Sequence, residues 1–187
     1  VSALHDNAVS TLDTWRPPAH AQNSLRQAYL AFLAARPDAM RRSCTPGHLT
    51  ASAAVFSADY RKTLLTLHPR VGAWLQLGGH CEGDASLAAA ALREATEESG
   101  IEGLRLDPIP VCLDTHALTC SLGVRTRHLD VQYVAVAPDG AEAVRSDESL
   151  DLRWWLVDAL PPVDESVRSL VAASLTRLAS ADLTLST

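Results

Sequence analysis

The stretch GGHCEGDASLAAAALREATEESGI, Gly78 to Ile101, crowds three glutamates into the last turns of a helix-forming run. From Ser86 to Ser99 the segment is rich in Ala, Leu and Glu and lacks Gly and Pro. It predicts a helix capped by Asp84 or Ser86 and closed by Gly100 in the left-handed region. Glu94, Glu97 and Glu98 fall at i, i+3 and i+4, so their carboxylates share one face within about 5–6 Å. The partial negative charge of a helix C-terminus repels each of them by about 0.3–1 kcal/mol. Arg93 can reach Glu97 at i, i+4, but one arginine cannot neutralise three acids. Either the face is solvated and merely acidic, or a cation from outside the chain completes it.

Just upstream, WLQLGGHCEGDAS leads from an apolar strand, Trp74 to Leu77, through a double glycine into that helix. Gly78 and Gly79 are expected in a loop, where the backbone can turn sharply or approach a ligand closely. The whole segment resembles the signature of the Nudix hydrolase family: a glycine, an acid at set spacing, then Arg-Glu-apolar-x-Glu-Glu-x-Gly-apolar. Gly79, Arg93, Glu94, Ala95, Glu97, Glu98, Gly100 and Ile101 occupy the matching positions across residues 79–101. The intermediate acid is displaced: its place is Ala85, with Asp84 one residue early and Glu82 three.

The resemblance implies an α+β fold, a Nudix-type α/β/α sandwich around a mixed β-sheet, and the coarse reading of the chain agrees. Two amphipathic helices open it, one carrying Leu4, Ala8, Leu12 and Trp15, the other Leu25, Tyr29, Phe32 and Leu33. They form a helical N-terminal extension over residues 1–45 of a single 187-residue domain. HLTASAAVF (48–56) and TLLTLH (63–68) read as a β-hairpin. Further strands are expected in LRLDPIPVCLDTH, LDVQYVAVA and LRWWLV, and a last helix from about Val163 to Ala179. Strands on either side of a central helix, followed by a terminal helix, predict a sheet covered on both faces.

With 47% hydrophobic residues and a net charge of −6, the chain can bury one substantial core. The acidic balance argues against broad nucleic-acid or anionic-membrane binding. No apolar run approaches a membrane span, and the first residues lack the order of a signal peptide. Cys44, Cys81, Cys112 and Cys120 show no CxxC spacing, so reduced thiols and a cytoplasmic location are expected. The expected partner is a small-molecule phosphoanhydride, with a homodimer left open.

Two rival chemistries fall short on residues. His80-Cys81-Glu82 looks like the H-x-E of zinc-dependent nucleobase deaminases, but the accompanying P-C-x-x-C is absent around Cys112. Isopentenyl-diphosphate isomerases resemble Nudix proteins and carry a cysteine where this chain has Gly78. A Nudix-like ligand-binding regulator is the non-enzymatic alternative; such proteins typically lose the metal carboxylates or add a DNA-binding module, and neither feature is expected from these residues.

By resemblance, the chain is a metal-dependent hydrolase that cleaves a pyrophosphate bond in a nucleoside triphosphate or nucleoside diphosphate derivative. Hard carboxylate oxygens on Glu94, Glu97 and Glu98 suit Mg²⁺ or Mn²⁺. The family pattern gives Glu94, Glu98 and a backbone carbonyl of Gly78 or Gly79 direct metal contacts, and lets Arg93 orient Glu97. Arg70 and His80 are candidate substrate contacts. A further acid is expected from APDGAEAVRSDES, where Glu148, nearest the strand containing Trp154, is the candidate ligand or base beside Glu142 and Asp147.

Overall fold

In the computed structural model, which describes residues 2–119, 123–147 and 149–185, the chain begins with helices α1 (Ala3–Thr14) and α2 (His20–Ala35). The sheet follows: β1 (His48–Phe56), β2 (Lys62–His68), β3 (Ala73–Leu75) and β4 (Leu77–His80). Helix α3 (Leu87–Ser99) leads to β5 (Arg105–Leu106), β6 (Cys112–Thr119), β7 (Arg125–Val136), β8 (Asp151–Leu156) and α4 (Glu165–Leu185).

The centre of the sheet is the parallel pair β1 and β7, in register from His48 opposite His128 to Phe56 opposite Val136. The other edge of β1 is shared: β2 takes Val55 and Phe56, and β4 takes Thr50 to Ala53, both antiparallel. The other edge of β7 is likewise divided between β5 and β6. Pairs β2–β3 and β2–β8 complete a mixed, curled sheet of eight strands among the described residues. No helix among them is long and apolar enough to cross a membrane.

Alternation along β1 sends Ala51, Ala53 and Val55 to one face and Ala54 and Phe56 to the other. The first face is covered by α3 and the two N-terminal helices, which bury Leu4, Ala8, Leu12, Tyr29 and Leu33 against it. The second is covered by α4 through Val167, Leu170 and Val171. The expected α+β sandwich with helices on both faces is therefore present. Tyr29 ties the N-terminal helices to the sheet edge, its hydroxyl donating to the backbone carbonyls of Asp114 at 2.5 Å and Asp130 at 3.2 Å.

Two segments depart from the sequence reading. The strand expected over Trp74–Leu77 breaks at Gln76, because β3 pairs with β2 while β4 pairs with β1. Consequently Gly78 and Gly79 lie within strand β4, not in a loop. The single strand expected in LRLDPIPVCLDTH becomes β5 and β6, separated by Pro108 and Pro110, whose missing amide hydrogens interrupt a ladder.

Leu12 is fully buried among residues of both the helical extension and the sheet. Leu12→Ala should cost about 2–5 kcal/mol and lower the temperature of one cooperative unfolding transition. A second transition, with the main one unmoved, would show that the extension folds apart from the sheet.

Candidate active site

Helix α3 forms as the sequence indicates. The Ser86 hydroxyl accepts from the Ala89 amide at 3.1 Å, and Gly100 ends the helix at φ 65°. Its apolar stripe, Leu87, Ala90, Ala91 and Ala95, is buried against the sheet, which turns Glu94 and Glu98 toward β4. The two carboxylates meet a strand that carries no side chains there. A Cβ on Gly79 would lie 2.7 Å from the Glu94 carboxylate, and the Gly78 amide donates to Glu98 Oε2 at 3.3 Å. A Cβ on Gly78 would fall 2.3 Å from Ser52 Cβ on the neighbouring strand.

Glu97 differs from its two companions: its side chain is 60% exposed, against 15% for Glu94. It reaches only as far as Arg93, whose Nη1 donates to Glu97 Oε2 at 2.9 Å. Arg93 is the electrostatic centre of the site. It also contacts Glu94 Oε1 at 3.1 Å, donates to Asp84 Oδ2 at 2.9 Å and donates to the His80 carbonyl at 3.0 Å. The hydrogen bond with Asp84 is the leading cause that raises the Arg93 pKa, so its charge is permanent. Asp84 thus takes the arginine contact although it stands one residue early in the sequence. Glu82 turns elsewhere, accepting from Arg42 Nε at 2.7 Å.

The structure brings Arg93, Glu94, Glu97, Glu98, Gly78 and Gly79 together at one junction of helix and strand. His80 belongs to the same strand, but the alternation that aims position 79 at Glu94 aims its imidazole at the opposite face. There it stacks on His48, with ring centroids 5.1 Å apart, and lies 5.4 Å from His128. Burial, then Arg42 and His48, push its pKa down to about 4. Burial and the surrounding histidines push His128 down to about 3, and burial also lowers His48. Arg70 is exposed in the turn between β2 and β3, its amide donating to His68 Nδ1 at 3.3 Å.

Glu148 lies outside the described residues, as does Cys120. The segment before it crosses the end of α3, where the Val144 amide donates to the Ser99 carbonyl at 2.7 Å. The residue after it is anchored to β2 by a 2.6 Å hydrogen bond between the Ser149 and Thr66 hydroxyls. Glu142 and Asp147 are both exposed.

The NUDIX domain model matches residues 46–173, most of the chain and all of the carboxylate site. The chain belongs to the NUDIX family. No curated protein sequence matches it. Among solved structures, a NUDIX-family hydrolase from Clostridium perfringens aligns over 70% of this chain and 97% of its own, at 25% identity and TM-score 0.53. An Ap4A hydrolase from C. elegans aligns over 71% and 98% at 19% identity and TM-score 0.53. A UDP-X diphosphatase aligns over 92% of each chain at 12% identity and TM-score 0.54, a likeness of fold alone.

This Nudix hydrolase needs its two glycines for different reasons, and substitutions should separate them. Gly78→Ala drives a methyl into the backbone of Ser52 and should destabilise the fold by about 1–3 kcal/mol, as overpacking does. Gly79→Ala meets first the movable end of Glu94, so it should leave thermal stability nearly unchanged while displacing that carboxylate and abolishing turnover. Equal loss of stability in the two variants would contradict this division.

Proposed function

We propose that this Nudix hydrolase cleaves the phosphoanhydride bond of a nucleoside triphosphate or nucleoside diphosphate derivative, with Mg²⁺ or Mn²⁺ held by Glu94 and Glu98. The observation that carries the reading is the placement of both carboxylates on the bare Gly78–Gly79 backbone. Arg93, the cation beside them, is already shared among Asp84, Glu94 and Glu97. The donor set fits a hard divalent ion: two carboxylates, to which the family pattern adds a backbone carbonyl of Gly78 or Gly79. A side chain at position 79 would fill the same cradle. Such an ion supplies charge neutralisation for the phosphate oxygens and a more acidic water. The chain's part is positional: Arg93 fixes the Glu94 and Glu97 carboxylates, and the Ser86 cap and apolar stripe fix the helix that presents them.

A nucleotide pyrophosphate as the substrate class is in keeping with a neighbour of the same fold named as an Ap4A hydrolase. Arg70 reaches a substrate phosphate in this reading, and His80, whose ring faces away, meets the substrate only through its backbone. Residues 1–45 form a single domain with the rest of the chain. An isomerase-type cysteine has no room at position 78, where a Cβ already meets Ser52.

Hydrolysis of a panel of nucleoside triphosphates, dinucleoside polyphosphates and nucleotide sugars should require Mg²⁺ or Mn²⁺. Glu98→Gln, which keeps shape and removes charge, should lower turnover by orders of magnitude with the fold intact. Full activity in that variant would refute the assignment, and formation of an allylic isomer from isopentenyl diphosphate would favour the isomerase instead. Tight binding of a nucleotide without turnover would favour a regulator.

The loop between β7 and β8 supplies a second test. Glu148→Gln should reduce turnover far more than Glu142→Gln, with little change in melting temperature. Equal activity of the two variants would leave the chemistry to the helix alone.

A further inference from the structure

We propose that His48, His80 and His128 form a second metal site, for a borderline transition-metal ion such as Zn²⁺, on the sheet face opposite the carboxylates. Each histidine comes from a different strand. His48 opens β1 and stands opposite His128 in the parallel β7, while His80 ends β4 opposite Thr50, two residues along β1. Two residues along a strand return to the same face, so the three imidazoles converge. One ring nitrogen from each lies within 4.8 Å of the others.

The hydrogen-bond balance of the cluster points to a ligand. His48 is wholly buried, and the Cys44 backbone that bears on its ring can serve one nitrogen and leaves the other without a partner; His128 Nε2 is likewise unpartnered. A buried polar group left unsatisfied carries a desolvation penalty that packing alone does not return. A metal ion satisfies an imidazole lone pair directly. Neighbouring polar groups do not take this role: His116 lies against the His128 ring but is bonded to Asp114 at 2.9 Å. Asp130 accepts from Thr50 at 2.9 Å and Ser52 at 2.6 Å, farther along the same face.

Ligand chemistry then separates the two sites of the molecule. Three imidazoles suit Zn²⁺, Co²⁺, Ni²⁺ or Cu²⁺ and are poor ligands for Mg²⁺, whereas the carboxylates of α3 have the opposite preference. A tetrahedral centre with bonds of about 2.0–2.1 Å sets its nitrogens about 3.4 Å apart. The histidines reach that spacing by closing inward through small side-chain rotations. His80 and His128 are only partly buried, which leaves an approach from solvent and a fourth position for water. A bound ion would pin β4 to β1 and β7 at the end of the strand whose glycines receive Glu94 and Glu98.

The test uses the full, untagged chain stripped of metal and titrated with Zn²⁺ alone, or with Co²⁺ alone, in the presence of excess Mg²⁺. The expected result is one equivalent of Zn²⁺ bound, a higher melting temperature and a visible Co²⁺ spectrum that Zn²⁺ abolishes. Loss of an outer-shell partner alone weakens metal sites by about 10–100-fold, so His128→Asn should cost at least about 100-fold in affinity. His80→Asn serves the same purpose should His128→Asn fail to fold. The double variant Glu94→Gln, Glu98→Gln should retain the site. No Zn²⁺ binding, or binding that survives both histidine substitutions, would overturn the proposal and leave the cluster as a packed stack of rings. Binding lost only in the glutamate double variant would overturn it equally.

Discussion

A helix that carries carboxylates can be pressed against a strand only where the strand has nothing to put between them. In this Nudix hydrolase that constraint falls on Gly79, and its neighbour Gly78 answers a second one across the sheet. Position 79 leaves no space for a methyl group beside Glu94, and position 78 leaves none beside Ser52. The rest of the site follows from this approach. The alanines of α3 let the helix sit low on the sheet, Ser86 and Gly100 set where it starts and stops, and Gln76 marks where the chain leaves β2 for β1 so that bare backbone faces the glutamates.

Such a contact gathers negative charge, and Arg93 answers part of it. Its guanidinium spans Asp84, Glu94, Glu97 and the His80 carbonyl, joining the loop, the helix and the strand through one planar fork. Glu98 is held instead by the Gly78 amide. Strand β4 therefore serves two faces at once. Its glycine backbone meets the Glu94 and Glu98 carboxylates on the α3 side, and one residue later its histidine meets two others on the far side.

Much of this was legible in the sequence because it is local. Helix α3, its caps, the hairpin of β1 and β2, and the buried stripes of α1 and α4 all follow from periodicity and end signals within a few residues. The family signature singled out Glu94, Glu97 and Glu98 as candidate metal ligands. What escaped was set by pairing across the sheet. The break at Gln76 reflects a change of partner strand, which no local pattern records. Asp84 meets Arg93 despite its offset because the loop at Gly83, with φ 94°, is irregular and has no fixed period to violate. His48 and His128 are 80 residues apart, and only the parallel register of β1 on β7 sets them side by side.

The central claim is that the junction of α3 with β4 is a divalent metal site built by the chain's own carboxylates. A crystal of the protein soaked in Mn²⁺ and measured at an anomalous wavelength tests it most directly. The account predicts an anomalous peak between the carboxylates of Glu94 and Glu98 and the Gly78–Gly79 backbone. A fully soaked crystal without a peak at that junction would contradict it.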